Sequence, residues 1–319
     1  MPEQPISDRI DAAGLSAATL CCFLWGGNAV AVKYAISPEG LPPIGGAAIR
    51  FLISLPVVLL FCRRAGMVWK VERRYWWLLI AHGFLTAIQI GSFNWGTSHS
   101  EAGRSSVFIN IHPLVVAPLA WLLLGEHLGW RGIAGLLAAA AGVAVMLARP
   151  LMLGGGLMGD LVVLASGVIF GLQAIAQKKT FPIIPPTTLL LAQSTLAIPI
   201  SFLYSAGFEG FESYHFTTEA IWGLIYQGLF VSGVAFAVWM LLLRRYPAGR
   251  LAAVAFLTPL FGISIATFTR GEPFTIPLAV GSTLVGLGIY LVTGEKKRSV
   301  ESARPAPSMV PEAESARRP

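Results

Sequence analysis

Ten runs of about 20 apolar residues, separated by short polar connections, leave this chain few ways to fold. At 1.5 Å of rise per residue, each run as a helix crosses the roughly 30 Å of hydrocarbon in a bilayer. The spacing predicts spans over 14–36, 41–62, 75–97, 102–124, 129–148, 157–178, 184–206, 219–243, 249–269 and 274–293. Lipid offers the backbone no hydrogen bonds, so the expected class is an all-α membrane protein. The stretch HPLVVAPLAWLLLGEHL (112–128) illustrates the constraint. A proline inside a water-exposed helix costs about 3 kcal/mol, whereas a chain in lipid has no alternative to the helix. With 55% hydrophobic and only 12% charged residues, the chain lacks the polar surface that a soluble protein of 319 residues needs.

The net charge of +7 is explained by where the basic residues fall. With the N-terminus in the cytoplasm, 18 of the 23 Lys and Arg residues lie on the inner side. Three, Arg104, Arg149 and Arg270, lie on the outer side, and Lys33 and Arg50 lie within spans. This positive-inside bias places both termini in the cytoplasm, with a bacterial inner membrane as the expected location. Nucleic acid is not needed to account for the charge. Trp76, Trp77 and Trp130 beside the basic connections read as interface anchors. Cys21, Cys22 and Cys62 fall in apolar runs without CxxC spacing, so neither a disulfide framework nor a metal site is expected. Residues 1–13 read as a short cytoplasmic tail before an uncleaved first span, and residues 294–319, rich in Pro, Ser, Ala and charge, as a disordered one.

The chain also repeats itself. A shift of 146 positions pairs Ala102-Gly103-Arg104 with Ala248-Gly249-Arg250, Pro113-Leu114 with Pro259-Leu260, and Gly125-Glu126 with Gly271-Glu272. The same shift pairs Gly135 with Gly281 and Gly142 with Gly288. A shift of 145 sets WGGNAVAVK (25–33) on FGLQAIAQK (170–178). Two five-helix units result, 14–148 and 149–293. Because five is odd, the second enters the membrane from the opposite face. Inverted repeats of this kind support alternating access to a site between them, so the expected function is solute transport.

WGGNAVAVK, the Arg50-Phe51 pair and a proline-centred helix closing in LLLGE, followed by a glycine-spaced helix and repeated in the second half, resemble the EamA family of the drug/metabolite transporter superfamily. The resemblance covers essentially residues 14–293 and implies a ten-helix exporter or permease of small metabolites, including amino acids in some members. The second half departs from the pattern at Phe170, where the first has Trp25, and at RGEP, where the first has LGEH.

Polar side chains at membrane depth are expected to face the protein interior, since a charge at the bilayer centre costs about 2.5–3.5 kcal/mol. The residues expected to line a central cavity are Trp25, Asn28, Arg50, Gln89, Asn94, Asn110, His112, Gln173, Tyr226, Gln227 and Trp239. Amides, an imidazole and aromatic walls suit a neutral or zwitterionic solute with an apolar part. Amino acids are the first expectation, with nucleosides, sugars or drug-like compounds as the alternative. Arg50 either binds backbone carbonyls and helix ends or attracts a substrate carboxylate, while Lys33 is expected to snorkel to the outer surface. Pro113 and Pro259 are expected near the middle of spans four and nine, as paired hinges.

The glutamates of Gly125-Glu126 and Gly271-Glu272 are expected to cap the helix that follows each. All sixteen carboxylates fall in tails, connections or helix ends, which leaves His112 and His82 as candidates for proton coupling. No Gly-Lys pair occurs, so no Walker A loop is present, and no cofactor is expected. An intramembrane enzyme acting on lipid or peptide would need a motif such as HExxH or GxSxG, and neither occurs. The expected partners are the solute and membrane lipid. The Ala- and Gly-rich span 129–148 suits close helix contact, within the chain or between protomers.

Overall fold

A computed structural model describes residues 11–36, 40–66, 70–124, 129–153, 156–210, 214–245, 254 and 257–293. The chain runs through α1 (Ala12–Gly26), α2 (Asn28–Ala35), α3 (Pro43–Arg64), α4 (Trp76–Ser98), α5 (Ala102–Ile109), α6 (His112–Leu124) and α7 (Trp130–Leu153). It continues through α8 (Leu157–Thr180), α9 (Pro186–Phe208), α10 (Thr218–Ile225), a π-helical stretch (Tyr226–Ala235), α11 (Phe236–Arg245), α12 (Leu257–Arg270) and α13 (Ile276–Thr293). Local chemistry sets several of the starts. Asp11 accepts from the Gly14 amide at 2.7 Å as the N-cap of α1, and α3 and α9 open on Pro43 and Pro186, where the missing N–H is of no consequence.

Among the described residues, seven helical runs are long and apolar enough to cross a bilayer: Ala12–Ala35, Pro43–Arg64, Arg73–Ser98, Ala102–Leu123, Leu157–Thr180, Pro186–Phe208 and Thr218–Trp239. Trp130–Met146 and Ile276–Gly288 are shorter apolar helices. The protein is thus a multi-pass integral membrane protein. Its surface agrees, since many large apolar side chains are exposed, Leu203 at 75% among them, which suits a lipid surround. The predicted spans match these elements to within a few residues, and the start of the span predicted at 249–269 lies outside the described residues. Among the described residues, three predicted spans are not continuous α-helices. The first changes helix at Gly27, the fourth breaks at Asn110-Ile111, and the eighth widens into the π-helical stretch.

The helices pack with α4 against α8 and α9, α3 against α9 and the π-helical stretch, α5 against α8 and α12, and α1 against α12. Val107, Phe108, Val163, Ile263 and Val285, drawn from both halves of the sequence, share one buried cluster. The α7–α13 pair is the most extensive contact and rests on glycine. A Cβ on Gly142 would lie 2.6 Å from the Gly281 carbonyl oxygen and 2.8 Å from the Val285 nitrogen. A Cβ on Gly288 would lie 2.5 Å from the Gly135 oxygen and 2.9 Å from the Ala139 nitrogen. The two sets of contacts exchange under the same 146-residue shift that aligns the halves, and they run in opposite directions along the two helices, which are therefore antiparallel.

The two ends of the bundle differ in charge. One carries Arg63, Arg64, Arg73, Arg74, Lys178 and Lys179 at helix termini, with Trp76, Trp77 and Trp130 exposed nearby. The other carries acids and bases tied to one another, described next.

Candidate functional site

The break in the fourth span follows from what its backbone can donate. Pro113 has no N–H for the Ile109 carbonyl one turn earlier. His112 Nδ1 lies 3.4 Å from that oxygen, and since a carbonyl only accepts, Nδ1 carries the hydrogen. Asn110 and Ile111 turn tightly, donating to Val107 and Phe108 at 3.0 and 3.3 Å, three residues back rather than four. The Asn110 amide then covers the Ser106 carbonyl left behind, at 2.7 Å. Pro113 lies near the middle of the fourth span, at its break, as expected. Pro113 is in the first turn of α6 and Pro259 in the first turn of α12, where proline is tolerated, and it is Pro118 that lies inside α6.

At the break in the first span, the Leu24 carbonyl accepts from the Tyr226 hydroxyl at 3.0 Å and the Gly26 carbonyl from Ser106 Oγ at 3.4 Å. The π-helical stretch opposite places Gln227 so that its Nε2 donates to the Ala31 carbonyl at 3.3 Å. Ser232 Oγ, from the same stretch, accepts from Arg50 Nε at 2.5 Å. Arg50 is only 2% exposed and is held by this hydroxyl, rather than by the backbone carbonyls or helix ends considered from sequence. Trp25 packs edge-on against Phe236 and Trp239, with ring centres 5.6 and 4.9 Å apart. Buried polar atoms normally have partners. Among the described residues eleven buried side-chain atoms have none, His82 Nδ1 and Asn94 Oδ1 included, and four of the eleven lie on neighbouring elements of the fold: Trp25 Nε1, Asn28 Oδ1, Arg50 Nη1 and Gln227 Oε1. They belong to the broken first span, α3 and the π-helical stretch, so this seam is the candidate site.

Other expected cavity residues serve a different purpose. Gln89 donates to Ser166 at 3.0 Å, Gln173 to Thr86 at 2.7 Å, and His82 Nε2 lies 3.1 Å from Thr180 Oγ1, all tying α4 to α8. Asn94 donates to the Pro43 carbonyl at 3.1 Å, tying α4 to α3. His112 packs against Phe170 of α8, with ring centres 4.6 Å apart and the planes tilted by 52°. The larger cavity, about 690 Å³ and almost wholly apolar, lies between α1–α2, α10 and α12, and of the expected residues it includes only Tyr226. Gly27, Trp222, Phe261 and Phe268 also line it, so it leads to the break in the first span. A second cavity of about 650 Å³, lined by Lys33, Ser98, His99 and Arg270, shares Glu219 with the first.

The ion-paired end carries the second cavity, which Lys33 and Arg270 line. Lys33 Nζ donates to the Ser98 and Ser100 carbonyls at 3.1 and 2.8 Å, so it caps the end of α4 rather than snorkelling into water. Arg104 Nε is 3.2 Å from Asp160 and its Nη1 is 3.3 Å from Glu101. Asp160 also accepts from Ser100 and is 0% exposed. Gly271 ends α12 at φ +63°, where glycine carries no Cβ penalty. Glu272 then accepts from the Ala102 and Gly103 amides, each at 2.8 Å. It caps α5, in the other half of the sequence, rather than the helix that follows it. Glu126 lies outside the described residues. Glu209 similarly accepts from the Ile44 and Gly45 amides at 3.0 Å, at the start of α3. Replacing Glu272 by Ala is expected to lower the stability of the solubilised protein by about 1–2 kcal/mol, read from its unfolding midpoint in denaturant, while Glu272→Gln recovers part of the loss.

A model of the EamA-like transporter family matches residues 12–148 and again residues 157–294. The chain is 29% identical over 287 residues to the uncharacterized transporter YvbV of Bacillus subtilis (strain 168), a match covering 88% of this chain and 92% of that one. It is 26% identical over 291 residues to a protein of Salmonella typhimurium named "Probable amino-acid metabolite efflux pump", covering 86% of this chain and 92% of that one. One solved crystal structure shares the fold, with a TM-score of 0.65 at 18% identity over 88% of this chain and 97% of that one.

Proposed function

The chain belongs to the EamA-like transporter family and is a membrane transporter, and we propose that it moves small amphipathic metabolites, amino acids first among them, by alternating access. The single observation that carries the reading is the seam of broken helices with four buried, unpartnered polar atoms, Trp25 Nε1, Asn28 Oδ1, Arg50 Nη1 and Gln227 Oε1. Backbone irregularity at membrane depth is tolerated where it lines a pathway, and unsatisfied groups beside it are available to a solute. In this reading ten spans form two inverted units, 14–148 and 149–293, with both termini in the cytoplasm of a bacterial cell. The exchange of contacts at Gly142 and Gly288 supports a two-fold relation between the units. The ion-paired end is then the outer one, drawn shut by Lys33, Arg104, Asp160 and Glu272. Pro113 and Pro259, at the bases of α6 and α12, mark where those helices pivot. His112, hydrogen-bonded at the break in the fourth span, is the first candidate for proton coupling and His82 the second. The names of the efflux-pump relatives favour export.

The test is counterflow of labelled metabolites in proteoliposomes, with and without a pH gradient. Saturable exchange of a chemically unchanged solute is expected, with pH dependence lost in His112→Ala and kept in His82→Ala. An absence of saturable flux across a broad metabolite panel would sink the transport reading. Sidedness is checked separately with impermeant thiol reagents on His99→Cys and Arg245→Cys, which the 146-residue shift pairs and inversion places on opposite surfaces. Labelling of both from one side would refute the inverted arrangement.

A further inference from the structure

From the surroundings of Arg50 we infer that its guanidinium is the anchor for a carboxylate on the transported solute, so that this protein selects carboxylic acids over the corresponding amides and amines. The inference deepens the transport reading and rests on it.

A buried charge needs an opposite charge, because desolvating a lone ion costs several kcal/mol even after relaxation. Among the described residues Arg50, 2% exposed, makes one hydrogen bond, to the neutral Ser232 hydroxyl, and its Nη1 has no partner. No ion pair to Arg50 is made among the described residues. A guanidinium presents a planar fork that fits a carboxylate with two parallel bonds, and the hydroxyl on Nε leaves Nη1 without a partner. The other unpartnered atoms of the seam include acceptors, Gln227 Oε1 and Asn28 Oδ1, which suit the ammonium of a zwitterion, and the Trp25–Trp239 pair offers an apolar surface. Ser232 and Gln227 both belong to the π-helical stretch, a rare form of helix that occurs frequently at functional sites. That stretch meets α3 through Gly228 beside Ile53 and Gly233 beside Val57. The two elements pack closely there, and movement of the stretch away from α3 would admit the solute to Nη1.

The probes are sets of solutes with a shared side chain, such as phenylalanine, phenylalaninamide and phenethylamine, extended to the other common amino acids and to simple carboxylic acids. Their binding to detergent-solubilised protein is read by thermal shift and by competition in counterflow. Acids are expected to bind on the order of 10- to 100-fold more tightly than their amides or amines, the factor that a charge-assisted hydrogen bond supplies. Arg50→Gln abolishes the preference and Arg50→Lys restores part of it. Ser232→Ala keeps the charge and removes only the hydroxyl on Nε, so it is expected to lower the acid-to-amine ratio part of the way, and it separates anchoring from folding should Arg50→Gln unfold. Equal binding of acids and amines by the wild-type protein, or no acid that shifts it at millimolar concentration, overturns the anchor. Saturable flux of neutral solutes without regard to a carboxylate would overturn it too, while leaving the transport reading intact.

Discussion

Replacing Asp160 by Leu lowers the stability of the solubilised protein by about 3–5 kcal/mol, because it removes one partner of a buried pair and leaves the other charged. Arg104 is held at 3.2 Å by a carboxylate with no exposure to solvent, and Ser100 loses its acceptor as well. The remaining acid beside Arg104, Glu101 at 3.3 Å, is about one-third exposed and makes up little of the loss, since solvent-screened pairs contribute about 0–1 kcal/mol. Asp160 also stands in the first turn of α8, where a negative charge favours the helix. The double variant Asp160→Leu/Arg104→Leu carries no orphaned charge and recovers most of the stability. Unfolding midpoints of the three proteins decide the matter, and a single variant as stable as wild type would mean that the pair is not shut off from water. In membranes the same single variant should label faster with impermeant thiol reagent at His99→Cys, because α5, α8 and the end of α4 lose the group that joins them.

The spans were legible because helices in lipid need long apolar runs, and the repeat was legible because Gly, Pro and Glu recur in a fixed register. What sequence did not disclose is mostly long-range. Lys33 lies one turn from water on any helical wheel, yet its ammonium is taken by the carbonyls of Ser98 and Ser100, which only the packing of α2 on α4 brings near. Glu272 looks like a cap for the helix after it and caps α5 instead, because α12 ends beside that helix's first amides. Asp160 was the missed site residue. A Gly-Asp pair opening an apolar run announces a helix start, but burial against Arg104 depends on where span four meets span six. The amides divided by fold position. Gln89 and Gln173 face α8 and are used up in pairs, while Gln227 faces the broken first span and keeps an unpartnered oxygen, although their chemistry is the same. The breaks had partial signals: Pro113 marked the region of one, but the tightened turn fell three residues earlier. Nothing in YQGLFVSGVA distinguishes a π-helical turn from an α-helical one.

Gly142→Leu and Gly288→Leu should be equally damaging, and that equality tests the relation between the two halves more sharply than either loss alone. In lipid, helix association depends on close van der Waals contact rather than on escape from water, so small residues at the crossing carry the interaction. At Gly142 an added Cβ strikes the Gly281 oxygen at 2.6 Å, and at Gly288 it strikes the Gly135 oxygen at 2.5 Å. Backbone atoms cannot rotate away, so α7 and α13 must move apart along their whole shared length. Overpacking of a core commonly costs about 1–3 kcal/mol, and a backbone clash at the most extensive helix contact in the protein belongs at or above the upper limit. Each variant is therefore expected to lose about 3 kcal/mol or more, and the two losses to agree within about 1 kcal/mol, since the contacts exchange under the 146-residue shift. Single and double variants measured in the same denaturant series also report coupling. The two sites share one helix pair, so once the first leucine has parted the helices the second should cost far less than the sum. Additive losses, or one leucine tolerated and the other not, would mean that α7 and α13 meet as two unrelated helices rather than as symmetric counterparts.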